Sequence, residues 1–450
     1  MKTRSGLQGY AFYGLLCTIL LSSIPNGAVE EWQKLLVVSA ICTFGIVRIA
    51  DGVFRRDFRV EEPFLFLPLI GVLAFASIQL VPFPGGSPIT TDKYDTEGFI
   101  LVFAGILVAG EMLFFYTRST VQVKGLIALV VAVGVASASY GLARDLFFGG
   151  QLDSGAGQSY AQFINRNHFS VLMEMVLGVL LGLLIKGGPS QKLKFAGWTT
   201  VGFLVYSMIA ANSRGGLISL GALGVFAVVL HAITRSEFPA GGRSRSLFGG
   251  RPLVKRILVT IGLCSLVLAV VIVMIAFVGG DRTVTRIEQL KDEVADVDKS
   301  RTNRRLIWTS TLELIKESPV IGTGFGAYST AITKFDISGG SFRLQQAHND
   351  YLELLASGGI FGASLFILFS ILLAVRTFRN LKSQHPLIRS ASFGGAIGIF
   401  GVLVHSVVDF GLHVMVNALI FTVLVVLAGL CPTAETELKM PARRRWRKAA

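Results

Sequence analysis

Long apolar stretches alternate with short polar ones along this chain, and the apolar stretches recur at lengths near the roughly 20 residues that cross a bilayer as a helix. Twelve spans are expected, at residues 10 to 24, 33 to 50, 63 to 81, 99 to 116, 120 to 143, 168 to 185, 195 to 211, 216 to 233, 257 to 278, 350 to 375, 391 to 410 and 414 to 431. Barrel strands would be short and alternating, so helices are the spanning element. One polar stretch, about 279 to 349, is far longer than the others. Within it, residues 284 to 298 are charged and helix-permissive. Residues 303 to 317 set Ile307, Thr311, Leu314 and Ile315 on one helical face, and Pro319 with the Gly-rich VIGTGFGAYS ends that helix. The pattern predicts an all-α integral membrane protein: spans one to nine in 1–278, a mainly helical cap in 279–349, spans ten to twelve in 350–431, and a basic tail in 432–450.

Composition agrees with the pattern. Of 450 residues 52% are apolar and 16% charged, with a mean hydropathy of +0.63, whereas a soluble domain carries about 25% charge. Lys2 and Arg4 precede an apolar run without a small-x-small cleavage site, so an uncleaved first helix is expected, with a removed signal peptide as the alternative. The cations fix an orientation. They gather in alternate connections, such as Arg48 to Arg59, Lys186 to Lys194, the cluster from Arg235 to Arg256 and the tail from Lys439 to Lys448, and Lys and Arg in short loops resist translocation. Both termini are therefore expected in the cytoplasm and the cap on the outer face. The same asymmetry accounts for the net charge of +14 without nucleic acid, and the terminal RRRWRK reads as an anchor to anionic lipids. Cys17, Cys42, Cys264 and Cys431 all fall in spans, where none can staple the cap with a disulfide.

Candidate chemistry collects on the outer side. Residues 345 to 362, QQAHNDYLELLASGGIFG, put His348, Asn349 and Asp350 where the cap re-enters an apolar span. A histidine there can accept a proton at neutral pH, with Asn349 or Asp350 orienting its ring. Arg214, in Asn212-Ser213-Arg214-Gly215-Gly216, sits between spans seven and eight among residues small enough to let a phosphate approach the backbone, and a guanidinium suits phosphate through its two parallel hydrogen bonds. Arg301, Arg304 and Arg305 open the cap helix and share a face with Trp308, which is expected at the membrane interface. Together these residues suggest an enzyme acting on a diphosphate-linked lipid.

Two further outer groups are Asn165-Arg166-Asn167-His168 at the start of span six, and His405, Asp409 and His413, spaced by four near the end of span eleven. The latter could line one helical face and bind a metal, but a carboxylate–histidine pair packing helices is the favoured account. Asp296-Val297-Asp298 in the cap is only a short acidic match, and no metal or other cofactor is expected. Glu111 and Glu174 lie deeper, each as a helix-pairing hydrogen-bond partner or part of a transport path.

The ordered set FINRNHFSVLMEM, ANSRGGLISL, RRLIWTSTLELIKESPVIGTGFGAYS, AHNDYLELLASGGIFG and HSVVDFGLHVMVNALIF, over residues 163 to 421, resembles the bacterial O-antigen ligase and O-antigen polymerase superfamily. The resemblance implies a polytopic glycosyltransferase of the inner membrane, needing neither nucleotide sugar nor metal, that moves a glycan from an undecaprenyl-diphosphate carrier to an acceptor hydroxyl on the outer face. The acceptor would be lipid A-core for a ligase or the growing glycan for a polymerase, with other polysaccharide-assembly proteins as partners. By motif it picks out His348, Arg214 and Arg305; because displacing a diphosphate builds negative charge on the leaving group and a base must take the proton of the attacking hydroxyl, His348 is expected as catalytic base and Arg214 with Arg305 on the diphosphate. Arg304 stands beside Arg305, and Asn349, Asn167, His168, His405 and Asp409 are supporting residues. The competing readings are a flippase for the same lipid carrier, a protein O-oligosaccharyltransferase and a non-catalytic assembly scaffold.

Overall fold

The computed structural model describes residues 6–56, 63–82, 86–148, 159–235, 257–274, 304–335 and 343–430. They are helical and carry no named strand. The apolar helices follow the sequence pattern: α1 (Gly6–Ser22), α2 (Glu31–Arg55), α3 (Pro63–Gln79), α4 (Lys93–Tyr116), α5 (Thr120–Phe148), α6 (Arg166–Lys186), α7 (Gln191–Ala210) and α8 (Arg214–Arg235), then α9 (Ile257–Met274). Two cap helices, α10 (Arg304–Glu317) and α11 (Tyr328–Ala331), precede α12 (Asp350–Leu381), α13 (Pro386–His405) and α14 (Met415–Ala428). Among the described residues nine helices are long and apolar enough to cross a membrane, and three shorter apolar helices, in α1, α3 and α14, complete the expected set. The acidic stretch 284–298, including Asp296 and Asp298, lies outside the described residues, as do Arg301 and the basic tail. Cys17, Cys42 and Cys264 are free.

Helix α6 is the most buried of the candidate spans and α13 the next, and their contact is the spine of the bundle. It depends on glycine. A Cβ built on Gly178 of α6 would stand 2.4 Å from the backbone nitrogen of Gly398 on α13, and one on Gly182 would stand 2.4 Å from the Ser390 carbonyl. Where lipid is as apolar as the helix surface, such backbone approach is a main source of helix association. An apolar cavity of about 320 Å³, lined by Leu177, Val201, Leu220, Leu223, Val267 and others, lies between α6, α7, α8 and α9.

Two departures from the expected spans position the outer residues. Span eleven ends at His405 rather than near 410, because residues 406–410 turn back through a short 3-10 segment, Gly411–His413, before α14 begins. Helix α12 runs longer than expected and breaks at Gly359, whose φ of 60° and ψ of −167° are not helical. Into that break the cap inserts its Gly-rich turn: Ile360 and Phe361 donate backbone hydrogen bonds to the Pro319 and Val320 carbonyls at 2.9 and 3.1 Å. Gly322, Gly324 and Gly326 all adopt positive φ there, and only glycine does so at no steric cost. The buried Gln79 at the end of α3 secures the joint, donating to the carbonyls of Ile321 (2.8 Å) and Ser357 (3.1 Å) and accepting from the Phe325 N–H (3.0 Å).

Candidate active site

The site is assembled by helix ends. Asn349 caps α12, its Oδ1 accepting from the Tyr351 and Leu352 N–H groups at 3.0 and 3.1 Å. The next backbone N–H, of Asp350, donates to the Ser406 carbonyl at 2.9 Å, while Ser406 Oγ donates to Asp350 Oδ2 at 2.7 Å. One residue before the histidine, the Ala347 N–H donates to Glu353 Oε2 (2.8 Å) and its carbonyl accepts from the Trp308 indole of α10 (3.1 Å). His348 is thereby held at a φ of 50°, a left-handed conformation that costs about 1–3 kcal/mol outside glycine and persists only where its surroundings over-determine it. Its ring keeps 28% exposure. Trp308 is thus tied to the histidine's loop.

Behind His348 stands Asp409. Its fully buried Oδ1 lies 3.6 Å from His348 Nδ1 and 3.9 Å from His168 Nε2, and it accepts the Phe410 N–H at 3.0 Å. Burial works against this carboxylate, but His348, His168, His405 and the Phe410 N–H outweigh it and hold its pKa well below the ordinary carboxylate range. The Phe410 ring fills the space between three imidazoles, with centroids 4.8 Å from His168, 4.9 Å from His348 and 5.9 Å from His413. Neither Asn349 nor Asp350 takes the orienting place expected from sequence: Asn349 serves the helix cap, and Asp350 serves Ser406 and His413.

His413 Nε2 lies 3.5 Å from Asp350 Oδ1 and 3.6 Å from Glu353 Oε1. Burial opposes its charged form, yet Glu353 and Asp350 prevail and raise its pKa to about 9. His405, Asp409 and His413 therefore do not line one helical face. The chain leaves the helix at His405, and the three side chains take separate partners. Among the described residues no group of three His, Cys, Asp or Glu side chains is set to hold a metal ion.

His405 instead pairs with Glu174, Nδ1 to Oε1 at 2.7 Å, with both side chains fully buried. This joins α13 to α6, the helix-packing role anticipated for both residues. Above it lies the Ser-Arg-Gly-Gly turn that starts α8. Ser213 Oγ donates to Asn167 Oδ1 at 2.7 Å and accepts the Gly216 N–H at 3.1 Å, so Asn167 anchors the turn to α6. A Cβ on Gly215 would stand 3.2 Å from His405 Nε2. Arg214 itself is exposed, as are Arg304 and Arg305 at the first turn of α10. Arg304 lies within electrostatic reach of His405, which brings the start of the cap helix to the same end of the bundle. Asn417, buried in α14, donates to the His168 and Gly411 carbonyls, both at 3.0 Å, and so fixes the returning loop against α6.

Sequence reasoning singled out Trp308 without its partner and overlooked Ser406, Phe410, Asn417 and Glu353, although all five lie inside the quoted blocks: Trp308 in RRLIWTS, Glu353 in AHNDYLELL, and Ser406, Phe410 and Asn417 in the block of His405 and Asp409. Against known families, residues 199–367 match the family model described as O-Antigen ligase. No curated protein matches the chain.

Proposed function

We propose that this chain, a member of the O-antigen ligase and O-antigen polymerase superfamily through residues 199–367, transfers a glycan from an undecaprenyl-diphosphate carrier to an acceptor hydroxyl at the outer face of the cytoplasmic membrane. The observation that carries the reading is His348, locked in a left-handed conformation with buried Asp409 behind Nδ1 and part of its ring open to solvent. A base placed so has the buried carboxylate 3.6 Å from Nδ1, and Nε2 is the nitrogen to meet a substrate. The acceptor hydroxyl gives its proton to Nε2 as its oxygen attacks the anomeric carbon. The bond from that carbon to the phosphate oxygen breaks, and its electron pair leaves on the diphosphate. Arg214 and Arg305, with Arg304 beside it, stabilise the growing charge as fixed guanidinium cations, the work a metal ion does in other transferases. The apolar cavity between α6, α7, α8 and α9 suits part of the polyprenyl chain, since α8 lines it and begins at Arg214.

The test is transfer by the purified protein in detergent, where transport is impossible. His348→Ala should reduce turnover by roughly 10²–10⁴-fold, the usual worth of a general base, while retaining donor binding. Undiminished turnover in this variant refutes the base, and absence of any transfer by the intact protein supports a flippase. Gene deletion separates acceptors: accumulated single repeat units mark a polymerase, and finished polymer left on its lipid carrier marks a ligase.

A further inference from the structure

The buried His405–Glu174 pair is larger than helix packing requires. A packing pair would use both ends of the imidazole, yet His405 Nε2 is buried with no hydrogen-bond partner and faces Gly215 at the start of α8. Proton counting fixes what that nitrogen carries. If the pair is ionic, imidazolium bears hydrogen on both nitrogens. If it is neutral, Glu174 donates to Nδ1 and the remaining hydrogen is again on Nε2. Only a net negative pair leaves Nε2 bare, and that would bury an uncompensated carboxylate at the cost of several kcal/mol. Nε2 is therefore a donor without an acceptor.

No acceptor of the neighbouring turn bonds to it, and each has another donor. The Ser213 carbonyl takes the Leu217 N–H (3.0 Å), Ser213 Oγ takes the Gly216 N–H, the Gly215 carbonyl takes Ser219 Oγ (3.1 Å), and Asn167 Oδ1 takes Ser213 Oγ. What remains at the turn is donors: the Arg214 and Gly215 N–H groups that open a 22-residue helix, the Arg214 side chain, and Nε2–H, with the buried Asp409 carboxylate a negative group within electrostatic reach of His405. Helix N-termini of this kind receive phosphate oxygens, and a buried donor acts there with little screening.

We infer that the α8 N-terminus is a phosphate-binding site whose floor is His405, held by Glu174 as a positioning residue, with Arg214 at its rim and a diphosphate as ligand. The identity of that diphosphate as the lipid carrier's headgroup rests on the function proposed above.

The experiment measures binding of undecaprenyl diphosphate, inorganic pyrophosphate and undecaprenol to the purified full chain in detergent. It compares the intact protein with Glu174→Gln/His405→Gln and with Gly215→Ala, whose added methyl would stand 3.2 Å from Nε2 and 3.3 Å from Val408 Cγ2 and so crowd that nitrogen without removing either member of the pair. Loss of a charge-assisted hydrogen bond predicts roughly ten- to hundred-fold weaker binding of both diphosphates and unchanged binding of undecaprenol. If the double variant does not fold, Gly215→Ala decides. Unchanged diphosphate binding in a folded variant overturns the inference, and so does an equal loss of undecaprenol, which marks a purely structural role. Should the intact protein bind pyrophosphate in a His405-dependent way but not undecaprenyl diphosphate, the anion site stands and the lipid-carrier reading falls.

Discussion

Replacing Asp409 with Asn keeps the side chain's shape and removes its charge. The carboxylate oxygen sits 3.6 Å from His348 Nδ1, where two unit charges at an effective dielectric near 20 attract by about 4–5 kcal/mol. That is a ceiling, realised only when His348 has taken the acceptor's proton. At 3.6 Å the two groups are in ionic contact without a direct hydrogen bond; once His348 is charged the contact can tighten to a charge-assisted bond, worth about 1.5–3 kcal/mol, so Asp409→Asn should lower kcat by roughly ten- to hundred-fold. The KM for the donor should hardly move, because the Asp409 carboxylate is fully buried behind His348. Acid stability should change as well. The folded pKa of Asp409 lies below its unfolded value, so its ionisation adds stability above the unfolded pKa near 3.9, and that stability is lost as pH falls through the folded value. The variant should therefore show a flatter fall in thermal stability at acid pH. Transfer kinetics in detergent, beside a melting curve at each pH, test both parts. A folded Asp409→Asn protein with unimpaired kcat would refute the reasoning.

Other perturbations probe separate joints. Trp308→Phe removes the indole hydrogen bond to the Ala347 carbonyl, worth about 1 kcal/mol, and should lower kcat more than donor affinity, as read in the same assay. Gly178→Ala forces a methyl to within 2.4 Å of the Gly398 nitrogen; helices α6 and α13 must part, and a melting temperature in detergent should register about 1–3 kcal/mol of lost stability. His413 has a folded pKa of about 9, above the unfolded value. Its stabilising charge is fully present below the unfolded pKa near 6.5 and lost as pH rises through about 9. His413→Gln should remove that alkaline decline, and melting curves from pH 6 to 10 would check it.

What the chain's sequence determined by itself was the class of object and the parts of its candidate site. The apolar spans follow from length and hydropathy because a bilayer forces every backbone polar group into a helix, so the twelve helices stand close to where the pattern puts them. Arg214, Arg305, His348, His168, His405 and Asp409 were legible as polar residues at span ends, where charge is costly without a task. Their pairing was not. Periodicity set His405, Asp409 and His413 on one helical face, but the backbone departs from the helix at His405, and spacing along a chain says nothing of a loop's course. Tertiary structure decided that His405 belongs to Glu174 on α6, 231 residues away in sequence, that Asp409 rather than Asn349 or Asp350 stands behind His348, and that Trp308 serves the histidine's loop. It also decided that glycines on α6 and α13 are a contact surface rather than flexible links. These are relations between segments remote in sequence, fixed by packing and by which buried polar groups must find partners, and both are properties of the assembled bundle.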